Sequence, residues 1–262
     1  MKKQIPVVTT TVLIICFLIF FLLHSLGMEN ETEAAIIVGA YYKPFILAGE
    51  WWRLLTVGFV HISFAHILMN GISLWSLGNI LEPYEGKGRF LLILLCSVIG
   101  GSLFLFAAGD NTVAVGLSGG LYGLLACYTY LVIIRGGWHS ERMRSSLINT
   151  YIINLLINFI PGIAWQAHLG GFVTGLILTA ILEKNEKTEG FRKHFVIAGL
   201  LFALSVGAGC YRNAYIPVTQ RYTGTDARIL QYYRQKGFST HASHIASNLG
   251  RIYGINRNGS SL

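Results

Sequence analysis

Across 262 residues, 53% are hydrophobic and only 12% charged, with a mean hydropathy of +0.55. Soluble globular chains carry about a quarter charged residues, so a soluble domain is excluded in favour of an all-α, polytopic membrane helix bundle. The net charge of +8 sits in short clusters between apolar runs and in the tail, with no basic stripe interleaved with aromatics, which speaks against a nucleic-acid partner and for topology signals.

In chain order, Lys2 and Lys3 precede an apolar run over 7–26. It is long enough for a span of about 20 residues and lacks a small-x-small cleavage site, which predicts a retained first transmembrane helix. The next segment is acidic at Glu29, Glu31 and Glu33, then aromatic at Tyr41, Tyr42, Trp51 and Trp52, as expected of a loop at headgroup level. Apolar runs recur at about 65–81, 90–108, 118–134, 147–162, 165–182 and 195–210. That makes seven predicted spans, some short enough to need shielding by neighbours or a thinned bilayer.

Basic residues fall in every second connection: Lys87 and Arg89; Arg135, Arg142 and Arg144; Lys184, Lys187, Arg192 and Lys193. This pattern puts those loops and the amino terminus in the cytoplasm. The tail, 211–262, is then extracellular, although Arg212, Arg221, Arg228, Arg234 and Lys236 are a mild breach of the rule. If 195–210 does not span, the tail is cytoplasmic instead. It is expected to hold a helix or two around 227–251 with little core of its own.

Cys16, Cys96, Cys127 and Cys210 each lie within or at the end of an apolar run, without the paired spacing of a zinc site or a disulfide framework. They read as small buried hydrophobes. His61 and His66 are near in sequence, but a spacing of i, i+5 should point them apart, and no clustered carboxylate completes a site; no metal or cofactor is expected.

Polar groups that can do chemistry are costly at membrane depth unless paired or facing water, which makes them functional candidates. Gly116-Leu117-Ser118-Gly119 puts a serine at the outer start of one span, and Ala167-His168-Leu169-Gly170-Gly171 a histidine at the outer start of another. The string also fits the G-x-S-x-G elbow of soluble hydrolases, but that turn needs a strand before the serine, and here the flanks are membrane helices. The glycines beside Ser118 allow a tight turn and leave amides at a helix start free to stabilise an oxyanion.

Gly119 with Gly123, and Gly171 with Gly175, form two small-xxx-small faces. If the two helices pack through them, the Ser118 hydroxyl can reach an imidazole nitrogen at about 2.6 to 3.2 Å. No carboxylate is available to orient His168: the only aspartates are Asp110 and Asp226, and Glu82 lies at the opposite side of the membrane. A Ser-His dyad is therefore expected, with Tyr122, one turn after Ser118, stacking on the ring. His66 and Asn70, at i, i+4, share one helix face near its outer end and, with the Ser118 backbone N–H, would supply oxyanion donors. The polar connection Gly109-Asp110-Asn111-Thr112 is expected to dip inward and line a hydrated site.

Together these motifs resemble the rhomboid family of intramembrane serine proteases, whose hallmarks are GxSG opening the fourth core helix, AHxxG in the sixth and HxxxN in the second. Glu50-Trp51-Trp52-Arg53-Leu54-Leu55-Thr56, followed by Phe59-Val60-His61 and by His66 through Asn70, is similar to that family's first loop and second helix. The resemblance covers about 10–185. It implies a six-helix rhomboid-like catalytic core within 1–185, followed by a cytoplasmic loop and an added seventh C-terminal transmembrane helix over 186–210 and a polar tail over 211–262.

The resemblance implies Ser118 as nucleophile, His168 as general base and acid, and His66, Asn70 and the Ser118 amide as the oxyanion hole. It also implies Tyr122 as stacking partner, Gly171 and Gly175 as close-packing positions, and Trp52 with Arg53 as loop scaffold. The implied partners are transmembrane protein substrates within the lipid bilayer; no cofactor is implied, and no oligomeric state is specified. The alternative is a non-catalytic rhomboid-like binder of membrane helices in trafficking or quality control, the role of members that lack the dyad. A transporter would call for paired halves with midplane charges, and no such repeat is evident.

Overall fold

The computed structural model describes residues 5–109, 112–183, 189–216, 218 and 223–253. Lys2, Lys3, Asp110, Asn111, Lys184, Lys187 and Arg221, which carry expectations above, lie outside them. The described residues form a multi-pass helical membrane bundle. Its membrane-region helices are α1 (Val7–Ser25), α5 (Phe64–Glu85), α6 (Lys87–Ala107), α7 (Ser118–Ile134), α8 (Glu141–Ile157), α9 (Trp165–Leu182) and α10 (Glu189–Tyr215). Five of these, α1, α5, α6, α9 and α10, are long and apolar enough to cross a membrane, and α7 is a shorter apolar helix.

Helix starts follow from local chemistry. Ser63 Oγ accepts the His66 N–H at 3.2 Å and caps α5. The first amides of α1 are satisfied across the bundle, because the buried Glu82 carboxylate of α5 accepts from Val8 N, Thr9 N and Thr9 Oγ1, each at 2.8 Å. An anion at a helix N-terminus also complements its dipole.

One helix, α8, is displaced from its apolar run. The fifth run, 147–162, predicts helix to its end, but α8 starts earlier, at Glu141, and stops at Ile157. The residues after it turn, with Gly162 at φ +90°, before α9 begins at Trp165. Hydrophobicity marks lipid contact, whereas Pro161-Gly162 ends helical hydrogen bonding. α8 has 17 residues, about 26 Å of helix, and only Leu147 of it is buried. Its outward side carries Ile148, Ile152, Ile153, Leu155 and Leu156.

The centre is the trio α6, α7 and α9. In lipid, helices gain nothing by hiding apolar surface from one another, so close backbone approach through small residues drives association. A Cβ on Gly171 would lie 2.0 Å from Gly119 O, one on Gly175 would lie 2.4 Å from Gly123 Cα, and one on Gly101 would lie 2.5 Å from Ala167 O. The predicted glycine faces of α7 and α9 are thus in direct contact.

A layer outside the bundle is built from both ends of the chain. The predicted interfacial loop is ordered as α2 (Glu31–Val38), β1 (Tyr41–Tyr42), α3 (Lys43–Leu47) and α4 (Arg53–Thr56). β1 pairs antiparallel with β2 (Val113–Ala114), in register Tyr41 to Ala114 and Tyr42 to Val113, the one sheet among the described residues. The tail helices α11 (Thr223–Gln235) and α12 (Ser239–Ile252) bury Ile229, Leu230, Tyr233, Ala242, Ile245 and Leu249 against Ile36, Tyr42 and Phe45. The tail therefore shares a core with the segment that follows α1, and lies on the same side of the bundle as that segment.

Polar contacts reinforce this seam. Arg228 Nε donates to Glu33 at 2.6 Å, Tyr42 OH donates to Asp226 at 2.6 Å, Tyr253 OH also donates to Asp226, and His241 Nε2 meets Glu50 at 2.6 Å. Burial pushes the Tyr233 phenol up to about 12 and raises those of Tyr42 and Tyr253.

Candidate active site

Ser118 is presented by a turn that only glycine adopts comfortably. Gly116 has φ +113° and its N–H donates to Val57 O at 3.0 Å; Leu117 N donates to His61 Nε2 at 3.4 Å. α7 then opens at Ser118 with no side-chain cap, so its first amides stand outside the helical ladder with the positive end of the dipole behind them.

His168 lies in the first turn of α9 and is 6% exposed. Its Nε2 is 2.8 Å from Ser118 Oγ. The Tyr122 ring stacks on the imidazole at 4.3 Å between centroids and 10° between planes. On the far side of the ring, Nδ1 is 2.6 Å from Asn158 Oδ1.

That contact fixes the tautomer. Asn158 Nδ2 donates to Tyr122 OH and to Asn154 O, each at 2.9 Å, while Tyr122 OH donates to Asn154 O at 3.1 Å. Both partners of Nδ2 are oxygens, so the amide oxygen faces the histidine and Nδ1 carries the hydrogen. Nε2 is left as the acceptor for the Ser118 hydroxyl, and a proton can pass along that bond.

His66 and Asn70 border the backbone just before Ser118. A Cβ on Gly116 would fall 2.6 Å from His66 Nε2 and 3.7 Å from Asn70 Nδ2. Asn70 is buried and spends one amide hydrogen on His66 O at 3.1 Å, leaving its second hydrogen for another acceptor. The fold therefore brings together Ser118, His168, Tyr122, His66 and Asn70 from α5, α7 and α9, with Gly171 and Gly175 setting the α7–α9 approach.

One expectation needs correction. His61 and His66 do not point apart: their rings meet edge-on with centroids 5.0 Å apart, because His61 precedes α5 and helical phase does not apply to it. The connection 109–112, expected to dip inward, lies partly outside the described residues, at Asp110 and Asn111. Gly109 packs against Asn213 of α10, and Val113 is drawn into the sheet with Tyr42. Asn158, on the neutral amide side of the ring, was not foreseen. Its signal was present, since Asn154 and Asn158 repeat at i, i+4 in an apolar run, the same pattern that singles out His66 and Asn70.

Trp52 and Arg53 lie in the outer layer rather than beside Ser118. Arg53 is 1% exposed; it is ion-paired with Glu50 and donates to Ile36 O at 2.6 Å, Ala40 O at 2.9 Å and Tyr233 OH at 3.3 Å. Trp52 is half exposed near the His241 ring. Among the described residues, no group of three or more His, Cys, Asp or Glu is arranged to hold a metal ion.

Comparison with known proteins agrees with this architecture. The profile of the Rhomboid domain matches residues 48–185, just over half of the chain. "Rhomboid protease GluP" of Bacillus subtilis (strain 168) is 36% identical over 203 residues, covering 77% of this chain and 40% of that protein. "Putative rhomboid protease YdcA" of the same organism is 31% identical over 188 residues, covering 70% of this chain and 92% of the relative. "RHOMBOID-like protein 5" of Arabidopsis thaliana is 33% identical over 149 residues, covering 55% and 48%. The chain thus spans less than half of GluP and of the plant protein, and nearly all of YdcA.

Proposed function

This chain belongs to the rhomboid family, and from that premise we propose that it is an intramembrane serine endopeptidase that hydrolyses a peptide bond in or near the transmembrane helix of a membrane-protein substrate. The observation that carries the proposal is the 2.8 Å contact between Ser118 Oγ and His168 Nε2, made between two helices whose backbones touch.

In the proposed mechanism, Ser118 Oγ attacks the scissile carbonyl carbon as its proton moves to His168 Nε2. The resulting oxyanion is held by the Ser118 N–H, the remaining Asn70 amide hydrogen and the His66 ring N–H. Collapse of the tetrahedral species breaks the C–N bond, and His168 returns the proton to the leaving amine. Water, deprotonated by His168, then attacks the acyl-enzyme, and Ser118 recovers its proton when the ester breaks. A substrate helix must open locally to offer its carbonyl, so helix-weakening residues are expected near the cleaved bond.

The chain is read as a cell-membrane protein with a cytoplasmic amino terminus. Arg135, Arg142, Arg144, Arg192 and Lys193 support cytoplasmic loops between α7 and α8 and before α10, and the tail, sharing a core with the segment after α1, is then extracellular. The test is cleavage of a model transmembrane substrate by purified protein in detergent. Ser118→Ala and His168→Ala should each abolish it while thermal stability is kept; cleavage persisting in Ser118→Ala excludes the proposal.

A further inference from the structure

We infer that Asn158 is the positioning residue for His168, standing where an orienting carboxylate would stand in a triad. This rests on the serine-protease reading above and extends it. The imidazole has two nitrogens and one hydrogen when neutral, and only the tautomer with the hydrogen on Nδ1 can receive the Ser118 proton at Nε2. Asn158 Oδ1, 2.6 Å from Nδ1, accepts that hydrogen. The amide cannot turn over to present its nitrogen, because Nδ2 is held at 2.9 Å by both Tyr122 OH and Asn154 O.

The same amide reaches the second constraint on the ring. Tyr122 stacks on His168 at 4.3 Å, and its hydroxyl accepts from Asn158 and donates to Asn154 O at 3.1 Å. Asn158 therefore fixes the imidazole in its plane directly and across its face through Tyr122. A neutral partner also suits a water-poor site: a buried carboxylate needs several donors to offset lost solvation, whereas an amide oxygen needs one.

Asn158 caps the C-terminus of α8, a helix of which only Leu147 is buried, and polar contacts help tie that helix to its neighbours. Thr129 Oγ1 and Tyr151 OH are 2.7 Å apart, the Tyr151 ring meets Phe172 of α9 edge-on, and Asn154 and Asn158 add the ties described above. The orientation of the base thus depends on α8 being seated.

The test compares full-length wild type, Asn158→Leu and Asn158→Asp, in detergent, for cleavage kinetics on a model transmembrane substrate, rate of labelling by a fluorophosphonate, and thermal midpoint. Leucine keeps the branched shape and removes both hydrogen-bonding ends; aspartate keeps the acceptor. Asn158→Leu should lower kcat and the labelling rate together by about 10- to 100-fold with KM within about twofold, a loss at the low end of general-base contributions. Asn158→Asp should regain about tenfold of that loss despite losing the bonds that Nδ2 donates to Tyr122 OH and Asn154 O.

Wild-type kinetics in Asn158→Leu would overturn the inference. So would equal losses in both variants that track a falling thermal midpoint, or a loss confined to KM. A wild type that neither cleaves nor labels defeats the protease reading itself, and this inference falls with it.

Discussion

Gly171→Ala should disable the site without altering any group that touches substrate. The added methyl would lie 2.0 Å from Gly119 O, whereas ordinary contact begins near 3.4 Å. Relief requires α9 to back away from α7 by about 1 to 1.5 Å, because neither contacting atom is on a flexible side chain. Gly119 adjoins Ser118 and Gly171 lies one turn from His168, so the wedge opens between them. Their 2.8 Å contact stretches to about 4 Å, beyond hydrogen-bond reach.

Misplacement of about 1 Å costs about a hundredfold in rate, while overpacking costs about 1 to 3 kcal/mol of stability, so the variant should fold and fail to turn over. The assay is kcat on a model transmembrane substrate in detergent, with the thermal midpoint measured in parallel. Gly207→Ala, where a Cβ meets nothing within 4 Å, is the control and should match wild type. A folded Gly171→Ala protein with wild-type kcat would refute the claim that the glycine contact sets the Ser118–His168 geometry.

Asn70→Ala should reduce kcat by about 10- to 1,000-fold, the scale of one oxyanion donor, with thermal stability little changed; steady-state kinetics at saturating substrate check it. Arg53→Ala should lower stability by about 3 to 5 kcal/mol, since it leaves the buried Glu50 with His241 alone and strands the Ile36 and Ala40 carbonyls. Arg53→Lys should not restore it, because an ammonium cannot serve all four partners; thermal midpoints in one detergent decide. The tail should detach at high pH: Tyr233 has its phenol raised to about 12 against about 10 unfolded. Its contribution is then complete below about pH 10 and lost as pH climbs towards 12. A phenolate titration followed with near-ultraviolet circular dichroism tests this, and loss of the tail signal below pH 9 would contradict it.

Where lipid is the solvent, much of the helical framework is legible, because every backbone group in the hydrocarbon must bond within its own helix. The runs at 118–134 and 165–182 coincide with α7 and α9. The fifth run does not coincide, since its end is set by Pro161-Gly162 rather than by hydropathy. Glycine spacing carried the α7–α9 contact, because small residues are the means of close approach in a bilayer.

What was not legible depends on residues distant in sequence. Tyr42 and Asp226 meet across 184 positions of chain, and no periodicity in the tail announces that its core is completed by the segment after α1. Asn158 carries no charge to mark it, yet the position calls only for an acceptor, which an amide oxygen supplies as a carboxylate would. His61 lies ahead of α5, so helical spacing does not govern where its ring points.

The central claim is that Ser118 is made nucleophilic by His168. It is tested most directly by treating wild type and His168→Ala with a fluorophosphonate and mapping the modified residue by peptide mass spectrometry. The account predicts a single adduct on Ser118 in wild type and none in His168→Ala. An adduct on another residue, or undiminished modification of Ser118 without the histidine, would contradict it.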